Sequence, residues 1–247
     1  MTIRRRKNEI RRPVVWVTGA SRGIGLAIAS EFARIGCSVC LSSRSGAQIR
    51  RAVEAIEQDG GHASSYPCDI TDRTAVLATA RSIEKQVGSV DVLVNSAGVT
   101  VFKPFRRTSL DEFERIIDTN LKAPVACIRA VLPAMVRNKR GWLFTVLSNA
   151  AVRTFEGSAA YTASKAGLLG LARVLREELK YCGIKVVNIL PGATETDMWP
   201  PALKKKYGLR MMKAKSVAEA ILSCYQMPED VVVDEVILRP VSGDLKS

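Results

Sequence analysis

The 247-residue sequence predicts a single α/β domain, in which helices cover both faces of a mostly parallel, seven-stranded sheet. Short β-branched runs alternate with longer segments that place apolar residues at helical spacing, and this alternation indicates β-α-β units. Hydrophobic residues make up 47% of the chain, enough for a sizeable core. No repeat or linker rich in proline, glycine or serine divides the chain, so we expect one domain.

The elements are predicted in chain order from this periodicity. Strands are expected at 14–18, 38–42, 63–67, 90–95, 142–147 and 185–190. Helices are expected at 23–35, 47–58, 74–87, 111–136 and 160–181. A last helix should start near Ser216, because Ser216 and Glu219 fit a capping box, and a final strand should follow at 231–238.

Charge is concentrated at the N-terminus but does not by itself define a partner. Residues 1–12 hold six basic residues and one acid, within a formal net charge of +13. This segment has no apolar stretch, so no signal peptide is expected. No apolar run approaches the length of about 20 residues that a membrane span needs. Zinc-finger spacing, an RNP-like stretch and basic heptads are also missing. We therefore expect a cytoplasmic protein with neither a nucleic acid nor a membrane as partner.

The six cysteines are predicted to be reduced thiols, since no secretory signal is expected. Cys37 and Cys40 form a C-x-x-C pair, but they lie in a predicted strand, whereas a redox pair opens a helix. A zinc site would need a second pair, and the only histidine, His62, is expected in a loop. No metal site is predicted.

A glycine-rich turn follows the first strand and leads directly into the first helix. Residues 18–25 read TGASRGIG, a G-x-x-x-G-x-G spacing. Glycines here permit a tight turn and close backbone approach, and the helix N-terminus offers free N–H groups to a pyrophosphate. Such a turn alone is also compatible with a purely structural role. In an open parallel sheet the ligand site lies beyond the carboxyl ends of the strands, which is where this turn falls.

Taken together, the ordered motifs resemble those of the short-chain dehydrogenase/reductase family over residues 13–198. The resemblance rests on the glycine turn followed by Cys68-Asp69-Ile70, Asn95-Ser96-Ala97-Gly98, Asn120, Ser148, Tyr161-x-x-x-Lys165 and Pro191-Gly192-x-x-x-Thr196. It implies a Rossmann-type, NAD(P)-binding catalytic domain at 13–247. A basic extension at 1–12 precedes it, and a variable lid lies at about 197–215.

Two tyrosines have a lysine four residues on, so the catalytic pair must be chosen. Gly183 should end the helix between Tyr181 and Lys185, whereas Tyr161 and Lys165 lie on continuous helix. Ser148 precedes Tyr161 by thirteen residues, which is the family's interval. Tyr161 and Lys165 are therefore the predicted pair.

The resemblance implies a catalytic role for each member of this set. Tyr161 is expected to donate the proton in reduction and to accept it in oxidation. Lys165 is expected to hold the nicotinamide ribose and to favour the tyrosine phenolate, and the positive charge of the oxidised nicotinamide is expected to add to that effect. Ser148 is expected to hydrogen-bond the carbonyl oxygen. Asn120 is expected to anchor a water that links the lysine to solvent.

The other family positions are expected to contact the cofactor. Asp69 should accept from the adenine amino group, Thr196 should contact the nicotinamide carboxamide, and Asn95 should tie neighbouring strands together beneath the cofactor. Further expected contacts are Gly19, Ser21, Gly23, Ile24, Ile70, Ala97, Gly98, Pro191, Gly192 and Thr194.

The cofactor is predicted to be NADPH/NADP+. Ser43 stands where NAD-specific members carry an acid, and Arg44 follows it. Arg22 is the second basic residue expected to bind a 2′-phosphate, since a guanidinium matches that dianion in charge and geometry.

The substrate is left open. Before residue 198 the chain resembles 3-oxoacyl-carrier-protein reductases, whereas its C-terminal part looks more like bacterial sepiapterin-reductase-like enzymes. Phe102, Phe155, Met198 and Trp199 are pocket candidates that are equally compatible with the core. Lys139 and Arg140 lie where ketoacyl reductases present charge to an acyl carrier protein, although the other docking position falls on Cys182.

We therefore expect a reductase of a small-molecule carbonyl or a carrier-bound thioester, which works as a homodimer or homotetramer. An NADP(H)-binding sensor without turnover is the non-enzymatic alternative, disfavoured by the Tyr/Lys pair.

Overall fold

A computed structural model describes residues 11–243 and confirms the predicted architecture. Seven strands form one fully parallel sheet in the order β3-β2-β1-β4-β5-β6-β9. The strands are β1 (Val14–Thr18), β2 (Ser38–Ser42), β3 (His62–Ser65), β4 (Val92–Asn95), β5 (Gly141–Val146), β6 (Ile184–Pro191) and β9 (Glu235–Leu238). A separate two-stranded ribbon pairs β7 (Thr194–Glu195) with β8 (Met212–Lys213).

Helices cover both faces of the sheet, as predicted. They are α1 (Gly23–Arg34), α2 (Gly46–Gln58), α3 (Arg73–Gln86), α4 (Leu110–Ile117), α5 (Ala123–Asn138), α6 (Ala159–Leu179), α7 (Pro201–Tyr207) and α8 (Ala214–Tyr225). One apolar core packs α1, α2 and α8 against the sheet, and the opposite core packs α3, α5 and α6. Because every central strand is buried on both sides, its sequence is apolar without alternation.

Four local predictions differ from the structure. The segment predicted as one helix at 111–136 is interrupted by a π-helical turn, Asp118–Lys122. The capping box at Ser216 is wrong, because α8 starts at Ala214 directly after β8 and places Ser216 inside the first turn. The last strand begins only at Glu235, where pairing with Asn188 starts. His62 begins β3, an edge strand, rather than lying in a loop.

The boundary expected after residue 12 is less sharp than the sequence suggested. Arg11 already contacts the domain, because its guanidinium binds the Asp91 carboxylate at 2.9 Å and the Ser89 carbonyl at 2.7 Å. Residues 1–10 of the predicted extension lie outside the described residues, as do 244–247.

Gly183 ends the helix that contains Tyr161, as the sequence predicted. Its φ is +70°, and a Cβ at this position would overlap the carbonyl oxygen of Lys139. Tyr181 consequently lies in a short 3₁₀ turn and is 89% exposed, while Lys185 lies in β6.

Gly183→Ala should therefore lower the free energy of unfolding by about 2 kcal/mol or more, because it adds a steric overlap to a left-handed backbone. Tyr181→Ala, two residues earlier, should change it by less than about 0.5 kcal/mol. Urea denaturation of both variants measures the difference. Equal stability of the two variants would show that the turn adapts to a side chain.

Candidate active site

The candidate site lies at the carboxyl ends of the strands, where the strand order reverses between β1 and β4. A cavity of about 1240 Å³ opens there. This exceeds the usual range of small-ligand pockets, up to about 1,000 Å³, and leaves room for an extended cofactor beside a substrate.

The glycine turn brings backbone close to this cavity. A Cβ on Gly25 would overlap the Gly19 carbonyl oxygen, and one on Gly19 would lie 2.7 Å from the Ala97 Cα. Both Gly19 and Gly23 have positive φ, at +68° and +60°. Within residues 11–243 no side chain caps α1, so the N–H groups of its first turn remain available to an anion.

Arg22 precedes α1 at the cavity wall, where its guanidinium lies 3.7 Å from the Asp197 carboxylate. Asp197 also pairs with Lys204 at 3.0 Å, and both basic groups help to hold its pKa below the ordinary value, Lys204 most strongly. The turn that carries Arg22 is thus linked electrostatically to the segment after β7.

Ser43 and Arg44 leave β2 and face the same cavity. The Ser43 hydroxyl is buried without a hydrogen-bond partner among the described residues. Asp69 lies nearby and accepts hydrogen bonds from the Thr71 backbone N–H and hydroxyl, at 3.0 and 2.8 Å. These bonds, with a smaller effect of Arg44, lower the pKa of Asp69, so its carboxylate stays ionised.

Tyr161 and Ser148 meet at the floor of the cavity. Tyr161 is 8% exposed, and its hydroxyl is hydrogen-bonded to the Ser148 side chain. The Ser148 Oγ also accepts from the Ala150 N–H at 3.1 Å, which fixes the hydroxyl at the end of β5. The two hydroxyls therefore converge on one region of the cavity.

Lys165 lies one turn further along α6 and is 4% exposed. Its ammonium donates to the Val146 carbonyl at 2.8 Å and lies 5.8 Å from the Tyr161 ring centroid. Burial lowers the pKa of Lys165 to about 8.

The expectation that Lys165 lowers the Tyr161 pKa is not met in the protein alone. Burial raises the pKa of Tyr161, and the Ser148 hydrogen bond only partly opposes this. The physical reason is that burial removes the phenolate from water, while the Lys165 ammonium donates its hydrogen bond to the Val146 carbonyl.

Asn120 lies in the π-helical turn, fully buried. Its Oδ1 accepts from the Val99 N–H at 2.8 Å, and its Nδ2 donates to the Val99 carbonyl at 2.9 Å and to the Ser164 hydroxyl at 3.1 Å. The side chain thus clamps the loop after β4 rather than lining the cavity.

Asn95 does not tie the strands together as expected. Both polar atoms of its side chain are buried without a hydrogen-bond partner among the described residues. Thr18 makes the tie instead: its hydroxyl donates to the Val94 carbonyl at 3.3 Å and accepts from the Ser96 N–H at 3.2 Å. Thr18 is the first residue of the glycine motif, so the sequence did mark this residue, but the motif was interpreted only as a turn that binds the cofactor.

The remaining end of the cavity has aromatic walls. Phe102 stacks on Trp199 with centroids 5.7 Å apart, and the Phe102 and Tyr161 centroids are 6.3 Å apart. Phe155 and Met198 complete this wall and are partly exposed. All four pocket candidates therefore border the cavity instead of lying in the core.

Most of the predicted site residues border this single cavity. They are Gly19, Ser21, Arg22, Gly23, Ile24, Ser43, Arg44, Asp69, Ile70, Ala97, Gly98, Ser148, Tyr161, Lys165, Pro191, Gly192, Thr194 and Thr196, with the four pocket candidates. Asn95 and Asn120 are buried and do not border the cavity.

Comparison with known proteins gives the family. The model of the short chain dehydrogenase family matches residues 13–206. The chain belongs to the short-chain dehydrogenase family. This is a family of oxidoreductases, and the matched range includes every predicted catalytic and cofactor residue.

Similar proteins cover nearly the whole length of this family member. A sepiapterin reductase of Chlorobaculum tepidum is 32% identical over 240 residues, which are 94% of this chain and 98% of that protein. The structure of a metagenomic short-chain oxidoreductase in complex with NADP has a TM-score of 0.82 at 34% identity and covers 93% of this chain and 97% of its own. An alcohol dehydrogenase of Thermococcus sibiricus complexed with 5-hydroxy-NADP has a TM-score of 0.87 at 28% identity, covering 96% and 100%.

Sequence reasoning missed several residues that border the cavity. Asn149 directly follows Ser148, and both polar atoms of its buried side chain lack a partner among the described residues. Arg115 reaches the cavity from α4, and Leu203 and Tyr207 reach it from α7. Only the adjacency of Asn149 to Ser148 could have drawn attention to it, because no motif marks the other three.

Of the six cysteines, only Cys68 borders the cavity. All six cysteines are free thiols, and burial raises the pKa of Cys37 to about 11 and of Cys40 to about 12. Within residues 11–243 no group of histidine, cysteine or acidic side chains could hold a metal ion. In the same part of the chain no helix is long and apolar enough to cross a membrane.

The buried Lys165 should destabilise the fold in a pH-dependent way. Because its folded pKa, about 8, lies below the unfolded value of 10.5, the burial penalty is complete below pH 8 and fades as the pH rises toward 10.5. Lys165→Met should therefore be more stable than the wild type at pH 7 by about 1–2 kcal/mol, after allowing for the lost hydrogen bond to Val146. Denaturation across this pH range measures the gap, and a gap that widens with rising pH would contradict the assignment.

Proposed function

We propose that this protein is an NADPH-dependent reductase that converts a carbonyl into an alcohol, reversibly, with Tyr161 as the proton donor. The observation that carries the proposal is the convergence of the Tyr161 and Ser148 hydroxyls, with Lys165 one turn away, at the floor of a cavity that also contains an uncapped, glycine-rich helix N-terminus.

The cavity residues fit a dinucleotide with a 2′-phosphate. The glycine turn leaves space where a Cβ would overlap backbone, so a pyrophosphate can approach the first turn of α1. Ser43 supplies a buried hydroxyl without a partner among the described residues, and Arg22 and Arg44 border the same cavity with guanidinium groups suited to a phosphate. The NADP complexes among the similar structures support the same choice.

The reaction follows from what each side chain holds. NADPH, when bound, supplies the hydride that reaches the carbonyl carbon. Ser148 donates a hydrogen bond to the carbonyl oxygen as negative charge grows on it, and Tyr161 gives that oxygen its phenolic proton. Lys165 would hold the nicotinamide ribose and, together with the positive charge of bound NADP+, would stabilise the phenolate left on Tyr161. In the reverse direction the same phenolate accepts the proton from the alcohol.

The geometry favours a small-molecule carbonyl over a carrier-bound thioester. Lys139 and Arg140, the expected carrier-docking residues, precede β5, whereas Ser148 follows it. The two basic residues therefore lie at the amino ends of the strands, and Ser148 lies at the carboxyl ends. The six residues of β5 separate these two ends by about 20 Å. The aromatic wall of Phe102 and Trp199 supports a flat substrate, and the similarity to a sepiapterin reductase supports the same class.

A sensor without turnover is the weaker alternative. A binding-only protein needs the glycine turn and the arginines but has no use for a buried tyrosine hydroxyl beside a serine and a lysine. Burying the Tyr161 hydroxyl and the Lys165 ammonium lowers the stability of the fold. Buried polar groups that lower stability are typical of catalytic sites.

We further propose that the enzyme is a cytoplasmic homodimer or homotetramer with two-fold symmetry. Apolar side chains such as Val136 on α5, Val174 on α6 and Ile237 on the edge strand β9 are exposed in the single chain, and a second copy would cover them. The unpaired, buried thiols support a reducing compartment.

The wild type should prefer NADPH to NADH by about tenfold or more in kcat/KM, since Arg22 and Arg44 border the cavity and are proposed to bind the 2′-phosphate. Ser43→Asp combined with Arg44→Ala should narrow or reverse this ratio. Arg50→Ala, a change at an exposed arginine outside the cavity, should leave it unchanged. Initial rates with both cofactors provide the test, and equal use of the two by the wild type would refute the cofactor assignment.

Tyr161→Phe should lower turnover by about 100-fold or more while NADPH affinity is kept, because only the proton donor is lost. Tyr181→Phe is the matched control and should change little, since that ring is exposed and outside the cavity. Both variants can be assayed with any ketone that an NADPH-consumption screen identifies. Near-wild-type turnover of Tyr161→Phe would mean that the proton comes from another group.

A further inference from the structure

Two chain segments frame the substrate end of the cavity, and we call them the rim: residues 102–110 and residues 197–210. Phe102 in the first segment stacks on Trp199 in the second, so the two segments meet at the opening. Leu203 and Tyr207, which are four residues apart on α7, turn one face of that helix toward the cavity.

The rim is strongly basic. It holds seven basic residues and one acid, a large share of the formal net charge of +13. Lys103 pairs with Glu112 and Lys204 with Asp197. The other five basic residues are exposed and form no ion pair within the described part of the chain: Arg106, Arg107, Lys205, Lys206 and Arg210.

Apolar side chains protrude between these charges. Phe105 is 68% exposed, and Leu209 is fully exposed in the 3₁₀ turn after α7. Leu110, the first residue of α4, is 79% exposed. Phe105 is followed by Arg106 and Leu209 by Arg210, so each segment of the rim sets a large exposed apolar side chain beside a cation, a composition that indicates an interaction surface.

We propose that the rim docks on the headgroups of an anionic lipid bilayer, with Phe105 and Leu209 entering its acyl boundary, so that the cavity opens toward the membrane. Interfacial protein surfaces combine cations for the headgroups with apolar side chains for the acyl region, which is the composition found here. A protein partner fits less well, because lysine is depleted at protein–protein interfaces and four of the seven rim cations are lysines.

The substrate class follows from this orientation, on the condition that the proposed reductase function is correct. Phe102 and Trp199 continue the apolar surface inward to Tyr161, whose ring centroid lies 6.3 Å from that of Phe102. A lipophilic ketone or aldehyde dissolved in the bilayer could reach the Tyr161 hydroxyl along aromatic side chains. The enzyme would then take its substrate from the membrane without spanning it, which departs from the sequence-based expectation that no membrane is a partner.

Vesicle co-sedimentation of the full chain, without cofactor or substrate, tests the docking surface independently of turnover. The wild type should bind vesicles that contain phosphatidylglycerol and should not bind pure phosphatidylcholine vesicles. Lys205→Glu with Lys206→Glu should weaken binding by about tenfold or more, as should Phe105→Ser with Leu209→Ser. The basic N-terminal segment is present in every variant, so differences between variants report on the rim.

The controls use residues of the same type elsewhere on the surface. Arg50→Glu with Arg51→Glu reverses an adjacent, exposed pair on α2, and Leu77→Ser alters a partly exposed leucine on α3. Both should bind within about twofold of the wild type. Equal weakening by the arginine pair, or unchanged binding of either rim variant, would overturn the proposal. Absent vesicle binding together with capture of an acidic carrier protein by the same residues would assign the rim to a protein.

The substrate class has a separate readout. Lys205→Glu with Lys206→Glu should slow NADPH oxidation with a long-chain ketone held in vesicles and should leave the rate with a water-soluble ketone unchanged, because neither lysine borders the cavity. Loss of both rates would contradict membrane delivery. No turnover with any ketone, alongside rim-dependent vesicle binding, would refute the reductase and keep the docking surface.

Discussion

The desolvation of two polar groups, the Tyr161 hydroxyl and the Lys165 ammonium, is the constraint on which the rest of the structure depends. Both lie on α6 over the end of β5, where the Val146 carbonyl accepts from Lys165 and Ser148 hydrogen-bonds to Tyr161. Burial raises the pKa of Tyr161 and lowers that of Lys165 to about 8. The neutral phenol needed for proton donation is therefore favoured by the protein alone, and the phenolate has to be stabilised by charge that arrives with the cofactor.

The parallel sheet supplies the setting for this pair. The carboxyl ends of its strands all lie on the same side of the sheet. The loops that follow β1, β2, β4, β5 and β6 therefore reach a single cavity although they are distant in sequence. Buried supports hold these loops in place: Thr18 joins β1 to the Ser96 backbone, and Asn120 clamps Val99. Phe102 and Trp199 border the other end of the same cavity, so the glycine turn, the Tyr161 hydroxyl and the aromatic wall all face one space.

Sequence reasoning predicted what depends on local pattern and missed what depends on three-dimensional packing. Periodicity located the strands and most helices, and Gly183 correctly separated Tyr161 from Tyr181, because helix termination is a local property. Tertiary contacts, which no local pattern encodes, set three features that sequence reasoning missed. These are the π-turn at Asn120, the Asn95 side chain without a partner among the described residues, and the start of α8 before Ser216. The effect of burial on the Tyr161 pKa was not predicted for the same reason, since spacing shows a nearby ammonium but not the desolvation that raises the pKa in the protein alone. The rim also escaped notice, because its two segments lie far apart in the chain and meet only through Phe102 and Trp199.

The ionisation of Tyr161 is the most direct test of this account. The phenolate absorbance can be titrated against pH in the wild type and in Tyr161→Phe, with and without saturating NADP+, and the difference between the two proteins isolates this one residue. We expect Tyr161 to ionise only above the ordinary tyrosine value of about 10 in the protein alone, and at distinctly lower pH once the positively charged nicotinamide is bound. A phenolate that forms near neutral pH without cofactor would show that burial does not control Tyr161 and would contradict the account.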